Sequence, residues 1–357
     1  MTRSVKCAVS LALLGVMAVG AVWAATAPRR GFEPPKRYHD AIAEYADQLR
    51  VGPPRHHQDL TLFPIFAPGV KVPEVDLTLD RAMEKGWLEI TELAAAQVSR
   101  VRVRNRASAP VFVMGGEMLA GAKQERIVGD DLIIPAKGEL TLPVFCVEHG
   151  RWSGETASFK SAGAMAGSAV RKARARADQG LVWSEVAREQ ERLQAPSVTG
   201  AYGSVPASPA VQERIKPYTR RFLDLPDEFP KARGVVATVR GEVIAADLFS
   251  SAALFRQLWP KLLESYVIDA LDRPLRGRDT EARSIERWLN GLRQADRSRK
   301  DTPGQGTLYE LRGAGILGSA LVYQKGVVHM ELFQGVFAAT RDFNRLQFRR
   351  GRLGAEE

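Results

Sequence analysis

Around Val98, Val101 and Val103 the chain alternates apolar residues with Arg100, Arg102 and Arg104, a period of two that predicts a strand over 98–105 with one face in water. Apolar runs bounded by turn residues predict further strands at 60–66, 87–91, 111–114, 131–135 and 140–148. Spacing of three and four takes over elsewhere. Ala41, Ile42, Tyr45 and Leu49 form one stripe of a short helix over 38–49, stopped by Gly52, Pro53 and Pro54. A brief helix over 79–85 ends at Gly86. Helical periodicity returns from 162 to 194 with a break at Gly180, and its second piece predicts Trp183, Val186, Ala187 and Leu193 as the buried side. Residues 195–209, rich in Pro, Ser and Gly, read as a loop. Strands over 234–246, helices over 252–271 and 281–293, and closing strands at 307–312, 319–324 and 327–333 complete the pattern. Strands and helices fall in blocks rather than alternating, which predicts an α+β fold. Its amino half is mainly antiparallel sheet, its middle and carboxyl half carry the packed helices, and strands close it.

The amino end follows different rules. Arg3 and Lys6 precede an uncharged apolar stretch over 8–23, with small residues around Ala24 and Ala25, as in an export signal cut after residue 24. Residues 25–37, rich in Pro and Arg, then form a linker, and 38–357 a single domain. The expected location is periplasmic or secreted. The alternative is an inner-membrane protein anchored by the uncleaved signal, since the uncharged run approaches the roughly 20 residues that span a bilayer. Membrane contact is expected only in that case. Of the two cysteines, Cys7 lies in the signal, so a cut chain keeps Cys146 alone, without an internal disulfide. Cys146 reads as a buried small hydrophobe.

Charge narrows the partners. Fifty-one Lys and Arg against 41 Asp and Glu leave +10, lowered to +8 by loss of Arg3 and Lys6, so an anionic small molecule is the expected ligand. The arginine-rich stretches 171–176, 273–299 and 349–352 are interleaved with acids and read as solvated helix faces, which disfavours nucleic acid. The five histidines offer no helix-spaced pair, and no Cys-x-x-Cys occurs, so no metal site is predicted. Neither a phosphate-binding loop nor a Gly-x-Ser-x-Gly elbow is present. No cofactor is legible.

Two segments hold the densest polar information. In 114–126, Gly115, Gly116 and Gly121 free the backbone for a turn or a close approach. Beside them stand Glu117, an acid or base, and Lys123, Gln124 and Arg126, suited to phosphate or carboxylate. The same segment reads equally as a hairpin with paired surface charges. In 143–152, strand alternation sets Val144, Cys146 and Glu148 on one face, and Arg151 and Trp152 then offer a guanidinium and a flat aromatic surface. Alternatively Trp152 anchors the core with Arg151 beside it. The catalytic candidates are therefore Glu117 and Glu148, and the ligand-binding candidates Lys123, Gln124, Arg126, Arg151 and Trp152. A third reading pairs Glu117, Arg126, Glu148 and Arg151 as a buried structural network.

Gly-Ala-Lys-Gln-Glu-Arg at 121–126 and Cys-Val-Glu-His-Gly-Arg-Trp at 146–152 occur in order with Asp178-Gln179, Val182-Trp183, Gly241-Glu242, Asp247-Leu-Phe249, Trp259 and Ser265-Tyr266. Over about 60–271 this set resembles the ARG and rhodanese-phosphatase-superfamily-associated protein domain family. The resemblance implies a link to ADP-ribose or NAD-derived nucleotides. It places polar motif positions on Glu117, Lys123, Gln124, Arg126, Glu148, Arg151 and Trp152, with Gln179 and Glu242 second. Two functions remain open: an exported enzyme that hydrolyses or processes a nucleotide-like or ribose-phosphate-like anion, or a non-catalytic envelope module that binds a ligand or a partner.

Overall fold

The computed structural model describes residues 40–151, 156–271 and 280–335, so the expected signal over 1–24, the linker over 25–37 and the candidate Trp152 lie outside the described residues. Two sheet systems carry the fold. A nine-stranded sheet runs in the order β1 (Arg50–Val51), β3 (Leu60–Phe66), β13 (Gly234–Val239), β14 (Glu242–Phe249), β18 (Gly326–Gln334), β17 (Ile316–Tyr323), β16 (Thr307–Gly313) and β15 (Asp296–Lys300), with β2 (Arg55–His57) also on β3. A closed barrel follows the order β11 (Glu139–Cys146), β6 (Arg100–Asn105), β5 (Leu88–Gln97), β12 (Ser158–Met165), β8 (Glu117–Gly121) and β9 (Arg126–Val128), which returns to β11. Closure leaves no strand edge unpaired around the ring. A small third sheet sets β7 (Val111–Val113) between β10 (Leu132–Ile134) and β4 (Leu77–Thr78), the last pair parallel and the pairs of the other sheets antiparallel.

Burial follows the sequence pattern. Strand β6 alternates exposed arginines with buried Val101 and Val103, which join Ile90, Leu119, Val128 and Leu142 inside the barrel. Strands β3 and β13 are buried on both faces. The helices Ala41–Gln48 and Ala282–Asn290 pack on one side of the large sheet, and the long helix Ala252–Ala270 packs on the other. That helix starts at Ser251, whose hydroxyl accepts from the Leu254 N–H at 3.1 Å. It also touches β12 and the helices around it, so it is apolar on nearly every side.

The α+β assignment holds, with several local differences. Helical spacing from 162 misreads β12, which stays extended to Met165, and the helix Ser168–Arg174 begins after Gly167. The break before the helix Gln179–Arg192 lies at 175–178 rather than at Gly180, because the Asp178 carboxylate caps the Gly180 and Leu181 N–H groups at 2.8 and 3.1 Å. Its buried side carries Val182, Val186, Glu189 and Gln190, while Ala187 is exposed, so the stripe is turned toward two polar residues. The strands expected over 234–246 are the hairpin β13 and β14, which runs on to Phe249. Arg240 and Gly241 take its two-residue turn at φ of 47° and 85°. Residues 210–233 carry no predicted element, yet Pro209–Phe222 is a helix capped by Ser208, its stripe of Val211, Ile215, Tyr218 and Phe222 diluted by charged neighbours. Among the described residues no helix is long and apolar enough to cross a membrane.

Candidate functional site

Strand β9 starts beside the end of β11, with Arg126 opposite Cys146, and the turn 122–125 leads into it from β8. Gly121 has φ +104°, and a Cβ there would lie 2.9 Å from the Ser158 carbonyl, so this turn needs glycine. Within the turn Lys123 is half-buried, whereas the Gln124 amide donates to the Glu148 carbonyl at 2.7 Å. The Gln124 side-chain oxygen accepts from Arg126 Nη1 at 2.9 Å and from the Cys146 thiol at 3.3 Å. Gln179, first residue of its helix, accepts from the Cys146 N–H at 2.9 Å and donates to the Cys146 carbonyl at 2.8 Å. It thus pairs with the strand end as a neighbouring strand would. Cys146 is fully buried and belongs to this scaffold.

Glu148 is saturated. Its carboxylate takes Arg151 Nε at 2.8 Å and Nη2 at 2.7 Å, the Thr199 hydroxyl at 2.7 Å and the Glu125 N–H at 2.9 Å. Arg151 also donates to the Ala122 carbonyl at 2.9 Å. Burial pushes the Glu148 pKa up, but Arg151, Thr199 and the Glu125 amide outweigh it and hold the group below the ordinary range. An acid held ionised with its oxygens occupied ties the 147–151 turn to the 122–125 turn. It is poorly placed to donate a proton.

Arg126 differs. Its side chain is 0% exposed, and Nε and Nη2 have no hydrogen-bond partner. These two groups form the side-on edge of the guanidinium, the fork that grips a carboxylate or phosphate with two parallel bonds. Glu92 is near enough to act on Arg126 through its charge, yet both its carboxylate oxygens are also buried without a partner. Two buried groups of opposite charge, each with unfilled hydrogen-bonding capacity, thus lie within electrostatic reach of one another.

Glu117 sits apart from this cluster. It is 1% exposed at the start of β8, accepts from the Met114 N–H at 2.7 Å and pairs with Lys261 of the long helix. Lys261 also meets Asp80 at 2.6 Å, and Asp80 accepts from the Ser161 hydroxyl at 2.6 Å. Two carboxylates share one ammonium. Burial, aided by Asp80, raises the Glu117 pKa against the pull of Lys261, while Glu117 and Asp80 overcome burial to raise that of Lys261. Asp80 and Ser161 line a cavity of about 410 Å³ with Lys160 and Gly163. Gln124, Arg126, Glu148 and Arg151 are thus brought together and Glu117 is not. The second-rank Glu242 is exposed at the start of β14.

A further group of charges escaped the sequence reading. Arg171 and Arg174, expected on a solvated helix face, are buried at 0% and 3% exposure. Arg171 binds Asp247 and Glu331, and Arg174 binds Glu331 and the Gly129 carbonyl. His329 bridges Asp131 at 2.6 Å and Asp247 at 3.2 Å, and the Tyr266 hydroxyl donates to Asp247. Gly115 and Gly116 make room here: a Cβ would lie 2.7 Å from Arg174 Nη1 and 2.8 Å from Arg171 Cγ, so their close approach is to these arginines. Burial lowers the His329 pKa, but Asp131 and Asp247 more than reverse this and bring it to about 9. The same imidazolium, against burial, holds Asp131 below the ordinary carboxylate range. Three carboxylates thus face Arg171, Arg174 and a charged His329, a balanced set joining β14 and β18 to the helix Ser168–Arg174 and the turn before β10. The signal was present as Asp247, His329 and Glu331 inside otherwise apolar strands.

Among the described residues no group of three or more His, Cys, Asp or Glu is arranged to hold a metal ion. A search of curated proteins found no match, and neither did a search of solved structures. One family model does match, over residues 48–333, which extends the resemblance read from the motifs beyond residue 271 to take in the closing strands that supply His329 and Glu331. The buried hexad, the Gln124–Glu148 junction and the Glu117–Lys261 pair all fall inside that match, and the chain belongs to the ARG and Rhodanese-Phosphatase-superfamily-associated Protein domain family.

Proposed function

We propose that this is an exported binding module for a small anion of nucleotide or ribose-phosphate character, received at the Arg126 end of the barrel. The observation that carries the reading is the open fork of Arg126, Nε and Nη2, buried without a partner and within electrostatic reach of an equally unpartnered Glu92. A phosphate on the fork and ligand hydroxyls on Glu92 would satisfy both, and buried charged groups left unsatisfied are costly. Arg151 and Glu148 hold the surrounding turns in place. Export rests on the amino-terminal pattern of Arg3, Lys6 and the apolar run after them.

Ribose 5-phosphate, ADP-ribose and pyrophosphate serve as probes in a thermal-shift titration. A ligand that binds the native state raises the melting temperature by mass action. The expected result is a rise with ribose 5-phosphate or ADP-ribose that disappears in Arg126→Gln and Glu92→Gln proteins. No rise with any probe, or an undiminished rise in both variants, refutes the reading.

A second reading, hydrolysis of such a ligand, is favoured by the cavity lined by Asp80 and Ser161, with Asp80 as its acid or base and Glu117, both oxygens held by the Met114 N–H and Lys261, as the group that positions Lys261 beside it. Glu117→Gln and Asp80→Asn proteins should then bind ADP-ribose but fail to release product. Equal product formation by both variants and the parent chain excludes it.

A further inference from the structure

A separate cavity of about 390 Å³ lies between the helices Ser168–Arg174 and Gln179–Arg192 and the carboxyl end of the long helix, at the small end of ligand-sized sites. Two buried carboxylates, Glu189 and Asp269, form its floor, at 2% and 1% exposure. Lys172, Arg176, Arg188 and Arg192 surround them; Arg176 and Arg188 are exposed at the mouth, where Arg188 pairs with Glu185, also part of the lining, at 2.5 Å. Neither the family motifs nor the barrel site uses this place.

Glu189 is built into the floor. Its Oε2 accepts from the Tyr202 hydroxyl at 2.7 Å, which in turn accepts the Gly167 N–H at 2.8 Å. Its Oε1 is buried with no hydrogen-bond partner. A Cβ on Gly167 would lie 2.8 Å from that oxygen, so the chain leaves out a side chain where the carboxylate sits. Asp269 accepts from the Ser168 hydroxyl. Arg192 lies beside the floor and draws the Glu189 pKa down through its charge, while its guanidinium donates to the carbonyls of Ile268, at 3.2 Å, and Leu271.

Burial first, and repulsion by Asp269 second, push the Glu189 pKa up to about 8. The charged or titratable groups around it are Tyr202 and Asp269 from neighbouring elements, Arg192 and Glu185 on its own helix, and Lys172 across the cavity. Near neutral pH it therefore holds a proton that an incoming cation would displace.

We infer that this cavity binds a small zwitterion, its ammonium seated on Glu189 and Asp269 and its carboxylate or phosphate facing Arg176 and Arg188. A simple anion would meet two acids at the floor, and a simple amine would have to pass four cations. Only a ligand carrying both charges, a few bonds apart, matches floor and mouth together. Seating the ammonium ionises Glu189, so one proton leaves the protein for each ligand bound.

Isothermal titration calorimetry near neutral pH tests this with phosphoethanolamine and L-alanine as zwitterions, ethylamine as the cation and inorganic phosphate as the anion. At least one zwitterion should bind roughly tenfold or more tighter than either single charge. The measured enthalpy should vary with the ionisation enthalpy of the buffer, reporting release of close to one proton. Glu189→Gln, similar in shape, should weaken binding by about tenfold or more and remove the proton release. Arg176→Ala and Arg188→Ala, at exposed positions that leave the fold intact, should weaken binding without altering the proton count. Binding should persist in the Arg126→Gln protein, which separates this site from the barrel site. The proposal is overturned if neither zwitterion binds, if phosphate or ethylamine binds as tightly, or if Glu189→Gln binds unchanged.

Discussion

His329 allows the buried hexad to be tested through pH. Its ring lies between Asp131 and Asp247 and stacks on Phe249 at 4.4 Å, so its proton is held by two carboxylates. In the unfolded chain a histidine titrates near 6.5, and here it titrates near 9. At about 1.4 kcal/mol per unit, that difference corresponds to about 3 kcal/mol of stability. Because the folded pKa is the higher one, the contribution is fully present below about pH 6.5 and is lost as pH rises through about 9. Urea unfolding of the parent chain and of His329→Gln across this range isolates it, since groups that titrate alike in both proteins cancel in the difference. The stability gap between the two should shrink by about 3 kcal/mol between roughly pH 6 and pH 10. A gap constant to within about 1 kcal/mol would refute a charged His329 in the fold. On the acid side the sign reverses: Asp131 and Asp247 are held low, so their contribution is lost as pH falls below the ordinary carboxylate range.

Three further outcomes follow from particular contacts. Glu331→Gln strips Arg171 and Arg174 of a shared counter-charge and should cost roughly 3 to 5 kcal/mol in urea unfolding, whereas Lys216→Ala, breaking an exposed pair with Glu213, should cost less than about 1 kcal/mol. Equal costs would show that burial is not what sets the value of these pairs. Gly121→Ala, at φ +104° and facing the Ser158 carbonyl, should destabilise by about 1 to 3 kcal/mol, read from the same assay. The Cys146 thiol should resist a water-soluble thiol reagent in the native protein and react once denaturant is added, and rapid native labelling would contradict its burial.

Much of the secondary structure was legible because it depends on local periodicity. Strand β6 announces itself through alternating arginine and valine, the strand Leu60–Phe66 through an apolar run interrupted only by Thr61, and the long helix through a wide apolar stripe that leaves Ala253, Arg256 and Pro260 on an exposed edge. The motif segments at 121–126 and 146–151 also meet in space, since Arg126 and Cys146 are paired across adjacent strands. What periodicity misread was a place where a cap overrules it: Asp178 starts a helix before the break expected at Gly180.

The amino-acid sequence by itself determined the α+β class, the order of most elements, the family and the residues of the two motif turns, because each rests on spacing along the chain. Only the tertiary structure decided which charges are partners. Glu117, adjacent in sequence to the glycines, is claimed by Lys261 on a distant helix, and Arg171 and Arg174 leave an apparently solvated face to meet Asp247 and Glu331. A charge reads as solvated in sequence because its cost of burial is invisible there. It becomes a buried partner only when elements far apart in the chain bring the opposite charge within reach.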